Sequence, residues 1–263
     1  MTGVLVGLIT QSFFAYTAIC LFFFLKDGGS PEKPFRPILN VLLTLQFAIP
    51  HSLLLWPPAS RALQRWIPKA FYGSFYCVVT CLSLVLLFRF WTTSAYAVWD
   101  LTGTSAAIVQ WLFLLSWGAL IYSLSLTGLG YQTGLTQWWA WLRNISLPRR
   151  GVPTAGAYHW LRHPVYLSFM GLIWFTPRMT LDHVVLTAVW TAYLVVGSYL
   201  KDERLAFYLG ESYRSYQRSV PGFSLFGSRL LGSRESGAEP AESPAAWPLK
   251  LESSAAAPVE KAA

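Results

Sequence analysis

The chain has 263 residues, of which 54% are hydrophobic and only 12% charged, against roughly 25% charged in ordinary soluble domains. This balance leaves no stretch that reads as a soluble domain of its own, and it puts every apolar run to the membrane criterion of about 18 residues. The net charge of +8 requires no nucleic acid, because basic loops beside anionic headgroups account for it.

The first apolar run, Gly3 to Leu25, is closed by Lys26. It has no basic region before it and no small-residue cleavage site after it, so it reads as a retained anchor rather than a signal peptide. Pro37 to Trp56 is the second run and carries Gln46, Pro50 and His51. "RALQRWIPK" then sets Arg61, Arg65 and Lys69 four apart, with Trp66 nearby, as in a short interfacial helix with snorkelling basic side chains. Phe71 to Trp91 and Ala106 to Thr127 are the third and fourth runs. "TQWWAWLRN", from Thr136 to Asn144, packs three tryptophans into four positions, which suits a segment lying in the membrane plane. Val165 to Thr176 is too short to span alone, and reaches across only if helix starts near Tyr158 and kinks at Pro164. Val184 to Leu200 is closed by "KDER", with helical pattern continuing through Tyr208. Gly210 can end that helix, and Glu211 to Ser219 forms another before Pro221. From Gly227 the composition turns to Ser, Ala, Glu, Pro and Gly, the signature of a disordered tail.

The expected fold class is therefore all-α: a polytopic integral membrane bundle of six transmembrane helices, or five if Tyr158 to Thr176 is re-entrant. Residues 1–226 form the bundle and 227–263 the tail. With the N-terminus inside, fifteen Lys and Arg face the cytoplasm against Lys26, Lys33, Arg36 and Arg178 outside, which places both termini in the cytoplasm. Cys20, Cys77 and Cys81 all lie in apolar runs and read as small buried hydrophobes, not as a metal site.

The ionisable residues gather at one end. Arg162, His163, Glu203 and Arg204 fall at the cytoplasmic ends of the last two membrane helices, which form an antiparallel hairpin, and His51 falls at the same end of its own helix. Such residues are functional candidates by default. If Pro164 sits in a first helical turn, the amides after it form a partly positive cradle, and Arg162 beside it can hold a carboxylate through paired hydrogen bonds. The plain alternatives are that Arg162 and His163 anchor the interface and that Glu203 and Arg204 are a solvated pair. His159 and His163 stand four apart like two metal ligands, but Pro164 disturbs that face, and no metal is expected.

"GAYHWLRHPVYLSF" and "DERLAFYLGESYRSYQRSVPGF" together resemble the isoprenylcysteine carboxyl methyltransferase superfamily. Its Arg-His-Pro-x-Tyr motif matches Arg162, His163, Pro164 and Tyr166. Its later elements match Glu203 and Arg204, then Gly210, Tyr213 and Tyr216, then Val220 and Pro221. A wider likeness, from about Gln46 to Phe223, is to the branch with methanethiol S-methyltransferase, nurim and the NnrU proteins; "PHSLL", "VWD" and "TPRMTLDH" carry it. Two places depart from that branch. Tyr72, Gly73 and Ser74 stand where it usually carries Glu-Arg-Ser, and Thr136 stands where an arginine would follow Gly-Leu.

The resemblance implies S-adenosylmethionine as cofactor, entering from the cytoplasm, with Arg162, His163, Pro164, Tyr166, Leu167, Tyr213, Tyr216 and Gln137 around it. It gives Glu203 and Arg204 two possible jobs: acceptor-side work, which is favoured, with Glu203 taking a proton from a thiol, or holding each other and the cofactor; His51 is a lesser candidate for the acceptor side. The expected partners are membrane lipids and a small thiol or lipid-soluble acceptor, in a bacterial inner membrane. A nurim-like scaffold without catalysis and an isoprenylcysteine carboxyl methyltransferase are the alternatives.

Overall fold

A computed structural model describes residues 2–29, 34–147, 151–152 and 154–223; the tail expected over 227–263 lies outside them. Five helices are long and apolar enough to cross a membrane. They are α1 (Thr2–Asp27), α2 (Pro37–Leu55), α4 (Lys69–Phe90), α5 (Gly103–Thr127) and α10 (Leu181–Leu209). The short helices are α3 (Pro57–Leu63), α6 (Leu129–Gln132), α7 (Leu135–Arg143), α8 (Ala157–Trp160), α9 (Pro164–Trp174) and α11 (Glu211–Ser219). The chain is an integral membrane helix bundle, as its composition requires.

The segment from Tyr158 to Thr176 decides between six spans and five, and it forms no sixth long helix. Helix does not run from near Tyr158 through a kink at Pro164. It stops at Trp160, the chain is extended at Leu161, and a new helix begins with Pro164 at its first position. Proline has no amide to lose there, and its ring fixes the dihedral angle that a first turn needs. Eleven residues make α9 about 16 Å long, roughly half of the ~30 Å hydrocarbon core. The Arg162–His163 dipeptide just before α9 is buried.

The bundle is assembled by α1 on α4, α4 on α2, α2 on α10, α10 on α9 and α9 on α5. Phe22 of α1 closes the ring by packing on Phe113 and Trp117 of α5, with centroids 5.7 Å apart in both pairs. Leu87, Leu172 and Ile173 are fully buried at the centre, with Leu25, Phe113 and Leu186 around them. Large apolar side chains such as Ile9, Ile38, Trp111 and Leu115 point outward, into what lipid would fill. Small polar residues do the reverse. Thr10 and Ser116 are buried and return their hydroxyls to the carbonyls of Val6 and Leu112. Gly171 lets α9 approach so near to α5 that a Cβ there would stand 2.2 Å from Ser116 Oγ. Small residues at helix crossings are how membrane helices pack, since lipid removes any hydrophobic drive between them.

At the far end, β1 (Ala97–Asp100) pairs antiparallel with β2 (Arg178–Thr180). Asp182 stands in the first turn of α10, where its carboxylate accepts from Trp91 Nε1 at 3.0 Å and Ser94 N at 2.9 Å. This clasp ties the α4–α5 connection to the α9–α10 turn and fixes the height at which α10 begins. The tryptophan-rich segment forms α7, but it does not simply rest in the interface. Trp138 is buried against Gly7 of α1 and donates to Gly3 O at 2.8 Å.

Candidate functional site

Helix α10 continues without a break through Lys201–Arg204 and ends at Gly210, whose φ of +59° turns the chain into α11. Four consecutive residues on a helix face four directions, about 100° apart. That geometry sorts the charges near the Arg162 end.

Asp202 points inward and is buried. Its carboxylate is 3.4 Å from Arg162 Nη2 and 3.3 Å from His163 Nε2. Tyr213 donates to its other oxygen. Arg162 is itself fully buried and donates from Nη1 to Gln217 O at 2.7 Å. Lys201 lies on the next face, 3.4 Å from Arg162 O, with its ammonium over the rings of Tyr158 and Tyr166. Tyr216 donates to Tyr158 O at 2.6 Å. Burial, and then the Asp202 carboxylate, push the Tyr213 phenol well above its ordinary ionisation range, so it stays a proton donor to that carboxylate.

The chain after α11 seals the cluster. Arg162 N donates to Pro221 O at 2.9 Å and His163 N to Gly222 O at 3.2 Å. The Phe223 ring lies 5.2 Å from the imidazole of His163. A Cβ on Gly222 would sit 3.3 Å from His163 Cδ2 and 3.4 Å from Arg162 Nη2, so glycine allows this close approach.

Glu203 turns the other way. Its carboxylate takes two bonds from Arg214, at 3.1 and 3.0 Å, and both side chains are 41% exposed. Arg204 occupies the remaining face, within electrostatic reach of His51, Tyr76, Tyr166 and Tyr193. The Glu–Arg pair of the sequence is thus split between two neighbourhoods. His51 has both ring nitrogens engaged, Nε2 with Tyr76 Oη at 2.6 Å and Nδ1 with Tyr193 Oη at 2.7 Å.

The structure therefore brings Arg162, His163, Pro164, Tyr166, Tyr213 and Tyr216 together. His51 and Arg204 form a second group. Leu167 lies on the exposed side of α9. Gln137 belongs to the packing of α7, where it donates to Tyr131 O at 3.1 Å and touches Gly73. His159 is exposed beside Trp160 while His163 is buried, and among the described residues no three His, Cys, Asp or Glu side chains converge on a metal-sized site. Sequence reasoning passed over Asp202 and Lys201, inside the very "KDER" that it quoted. The available signal was the 100° step, which puts Asp202 on the buried stripe with Ser198 and Ala206. A hollow of about 360 Å³ lies elsewhere, lined by Thr2, Gly3, Val6, Pro68, Phe71 and Trp141.

One departure from the expected motif, Gly73, meets the chain two residues before the other, Thr136. Gly73 stands against the backbone of Gly134, where a Cβ would be 2.7 Å from Gly134 Cα. Gly134 has φ +78°, and a Cβ there would be 2.3 Å from Ser74 N. No side chain larger than hydrogen fits this crossing of α4 with the α6–α7 turn.

Together the fold and these clusters define a polytopic helical membrane protein that draws acid, base and phenol groups into one end of its bundle. The chain is 30% identical over 231 residues to methanethiol S-methyltransferase of a Pseudomonas species, covering 84% of this chain and 88% of that one. It is 31% identical over 213 residues to methanethiol S-methyltransferase 2 of Bradyrhizobium diazoefficiens, covering 80% and 82%. It is also 28% identical over 207 residues to nurim of Danio rerio, covering 74% and 72%. The chain belongs to the methanethiol S-methyltransferase family. No protein-family model matches it, and no solved structure matches it significantly.

Proposed function

We propose that the protein is an integral-membrane methyltransferase that moves a methyl group from S-adenosylmethionine to a small thiol, methanethiol being the favoured acceptor. The observation that carries this reading is convergence: the motif residues Arg162, His163, Tyr166, Tyr213 and Tyr216 surround one buried carboxylate, Asp202, in a chain aligned over four-fifths of its length with methanethiol S-methyltransferases.

The residues suit the cofactor chemically. Its amino-acid end carries a carboxylate and an ammonium, and the cluster offers buried groups of both signs. Arg162 and Lys201 would hold the carboxylate with the first-turn amides of α9, and Asp202 would attract the ammonium. His163 Nδ1 is buried with no hydrogen-bond partner among the described residues, a polar atom that a ligand group would satisfy. Tyr213 and Tyr216 offer flat faces for a purine ring. When bound, S-adenosylmethionine supplies an electrophilic methyl group on a sulfonium. The protein's part is to orient it, keep water out and admit the acceptor. The half-length α9 suits that division: charged reactant from one side, apolar thiol from the bilayer. Under the basic-loop rule this end faces the cytoplasm of a bacterial inner membrane.

Glu203, bound to Arg214 at the surface, is better suited to fastening α11 over the site than to taking a proton. A second reading, a membrane scaffold without catalysis, draws on the likeness to nurim and on the closed Gly73–Gly134 crossing. Donor binding separates the two. Purified protein should show calorimetric binding of S-adenosylmethionine and convert methanethiol to dimethyl sulfide, measured in the headspace by gas chromatography. A protein that binds no donor and forms no dimethyl sulfide defeats the enzyme reading.

A further inference from the structure

A thiol must lose its proton to become a good nucleophile, and the carboxylates at this end are already committed. Asp202 is held by Arg162, His163 and Tyr213, and Glu203 by Arg214. Among the bases at this end in the described residues, Lys201 and His163 belong to the Asp202 cluster, and His51 stands apart from it on α2. It sits among groups from two other spans: Tyr76 of α4, and Tyr193 and Arg204 of α10. Ser52 donates to Tyr193 Oη at 3.1 Å, so the Tyr193 hydroxyl hydrogen is left to point at His51 Nδ1. A neutral imidazole with an acceptor at Nδ1 carries its hydrogen on Nε2 and donates it to Tyr76. The result is a directed chain, Ser52 to Tyr193 to His51 to Tyr76. Tyr166 of α9, which packs on His163 at 5.5 Å, interacts electrostatically with both phenols. Arg204 has no carboxylate partner among the described residues and adds positive charge beside the chain.

We infer that the Tyr193–His51–Tyr76 chain is the proton acceptor for the thiol, with His51 taking the proton and the tyrosines fixing its tautomer and relaying. The inference rests on the methyltransferase reading above. The balance is simple. The S–H bond breaks and its electron pair stays on sulfur. As that sulfur bonds to the methyl carbon, the carbon's bond to the donor breaks, and its pair leaves with the donor's sulfur. The proton remains on His51 until product departs and is then lost to solvent. Arg204 favours the passing thiolate.

The test compares an alkanethiol, protonated at neutral pH, with an arenethiol, already ionised there. His51→Gln should slow methylation of the alkanethiol by about 100- to 10,000-fold, the usual worth of general-base catalysis, while the arenethiol keeps most of its rate and calorimetric donor binding is unchanged. Tyr193→Phe, which keeps the ring and guards against misfolding, should give a smaller loss with the same preference. In donor-free protein with ¹⁵N-labelled histidine, Tyr193→Phe should move the ring-nitrogen signals of His51, identified by their loss in His51→Gln. Equal loss with both thiols, no loss with either, or ring signals indifferent to Tyr193→Phe overturns the relay. A wild-type protein that methylates neither thiol removes the methyltransferase reading itself, which is a different failure.

Discussion

Asp202 and Glu203 are adjacent acids on one helix, and the structure gives them opposite energetic weight. Consider Asp202→Ala. It removes a carboxylate whose side chain is 6% exposed and whose partner Arg162 is 0% exposed, so that a buried guanidinium loses this carboxylate. Breaking a buried pair in this way costs about 3–5 kcal/mol. In a chain of this size each kcal/mol moves the melting temperature by roughly 2–4 °C, so the expected fall is about 6–20 °C. Glu203→Ala breaks a pair that is 41% exposed on both sides. Solvent screens such pairs to about 0–1 kcal/mol, or no more than roughly 4 °C. Thermal unfolding of the detergent-solubilised protein, followed by tryptophan fluorescence, reads both variants. Equal shifts, or a larger one for Glu203→Ala, would refute the claim that α10 turns Asp202 into the bundle and Glu203 out of it. Donor affinity should follow the same order, because Asp202 holds Arg162 in place.

Arg162→Lys should weaken S-adenosylmethionine binding at least about tenfold by calorimetry, since an ammonium cannot serve Gln217 O, Asp202 and a ligand carboxylate with one planar fork. Gly134→Ala should lower the yield of folded protein sharply in size-exclusion chromatography, because its Cβ would fall 2.3 Å from Ser74 N at a φ of +78°. Gly118→Ala, with nothing within 4 Å of its added Cβ, should instead be neutral or raise the melting temperature by the equivalent of about 0.5–1 kcal/mol of helix propensity. Phe223→Ala should loosen the cover over His163, read as faster hydrogen exchange at the amides of Arg162 and His163, which donate to Pro221 and Gly222.

Much of the fold was legible because lipid imposes length and apolarity together. The five long runs became helices with ends shifted by a few residues, and Gly210 ended α10 as its backbone freedom suggests. Val165 to Thr176 is too short to span alone, and the continuous helix that would lengthen it does not form: helix stops at Trp160, and Pro164 opens a separate half-length helix. Motif spacing named Arg162, His163, Tyr213 and Tyr216, and the fold brings these four together. It could not find Asp202, whose importance lies in which way one side chain turns, nor the Tyr76–His51–Tyr193 chain, whose members are 25 and 142 residues apart. Gln137 and Leu167 sit where the α7 fold and the outer side of α9 take them, and neither position follows from spacing along the chain.

The unbroken run of α10 from Leu181 to Leu209 has a consequence for how this protein can vary. Lys201 and Asp202 meet Arg162 at its carbonyl and its guanidinium, Glu203 meets Arg214, and Arg204 faces the His51 group, so the helix works like a selector shaft clamped at Asp182. Deleting one residue between the clamp and Lys201 would turn all four positions by about 100°, presenting each neighbour with a charge meant for another. Substitution along that stretch is a local matter; a change in its length rewires the whole chamber at once.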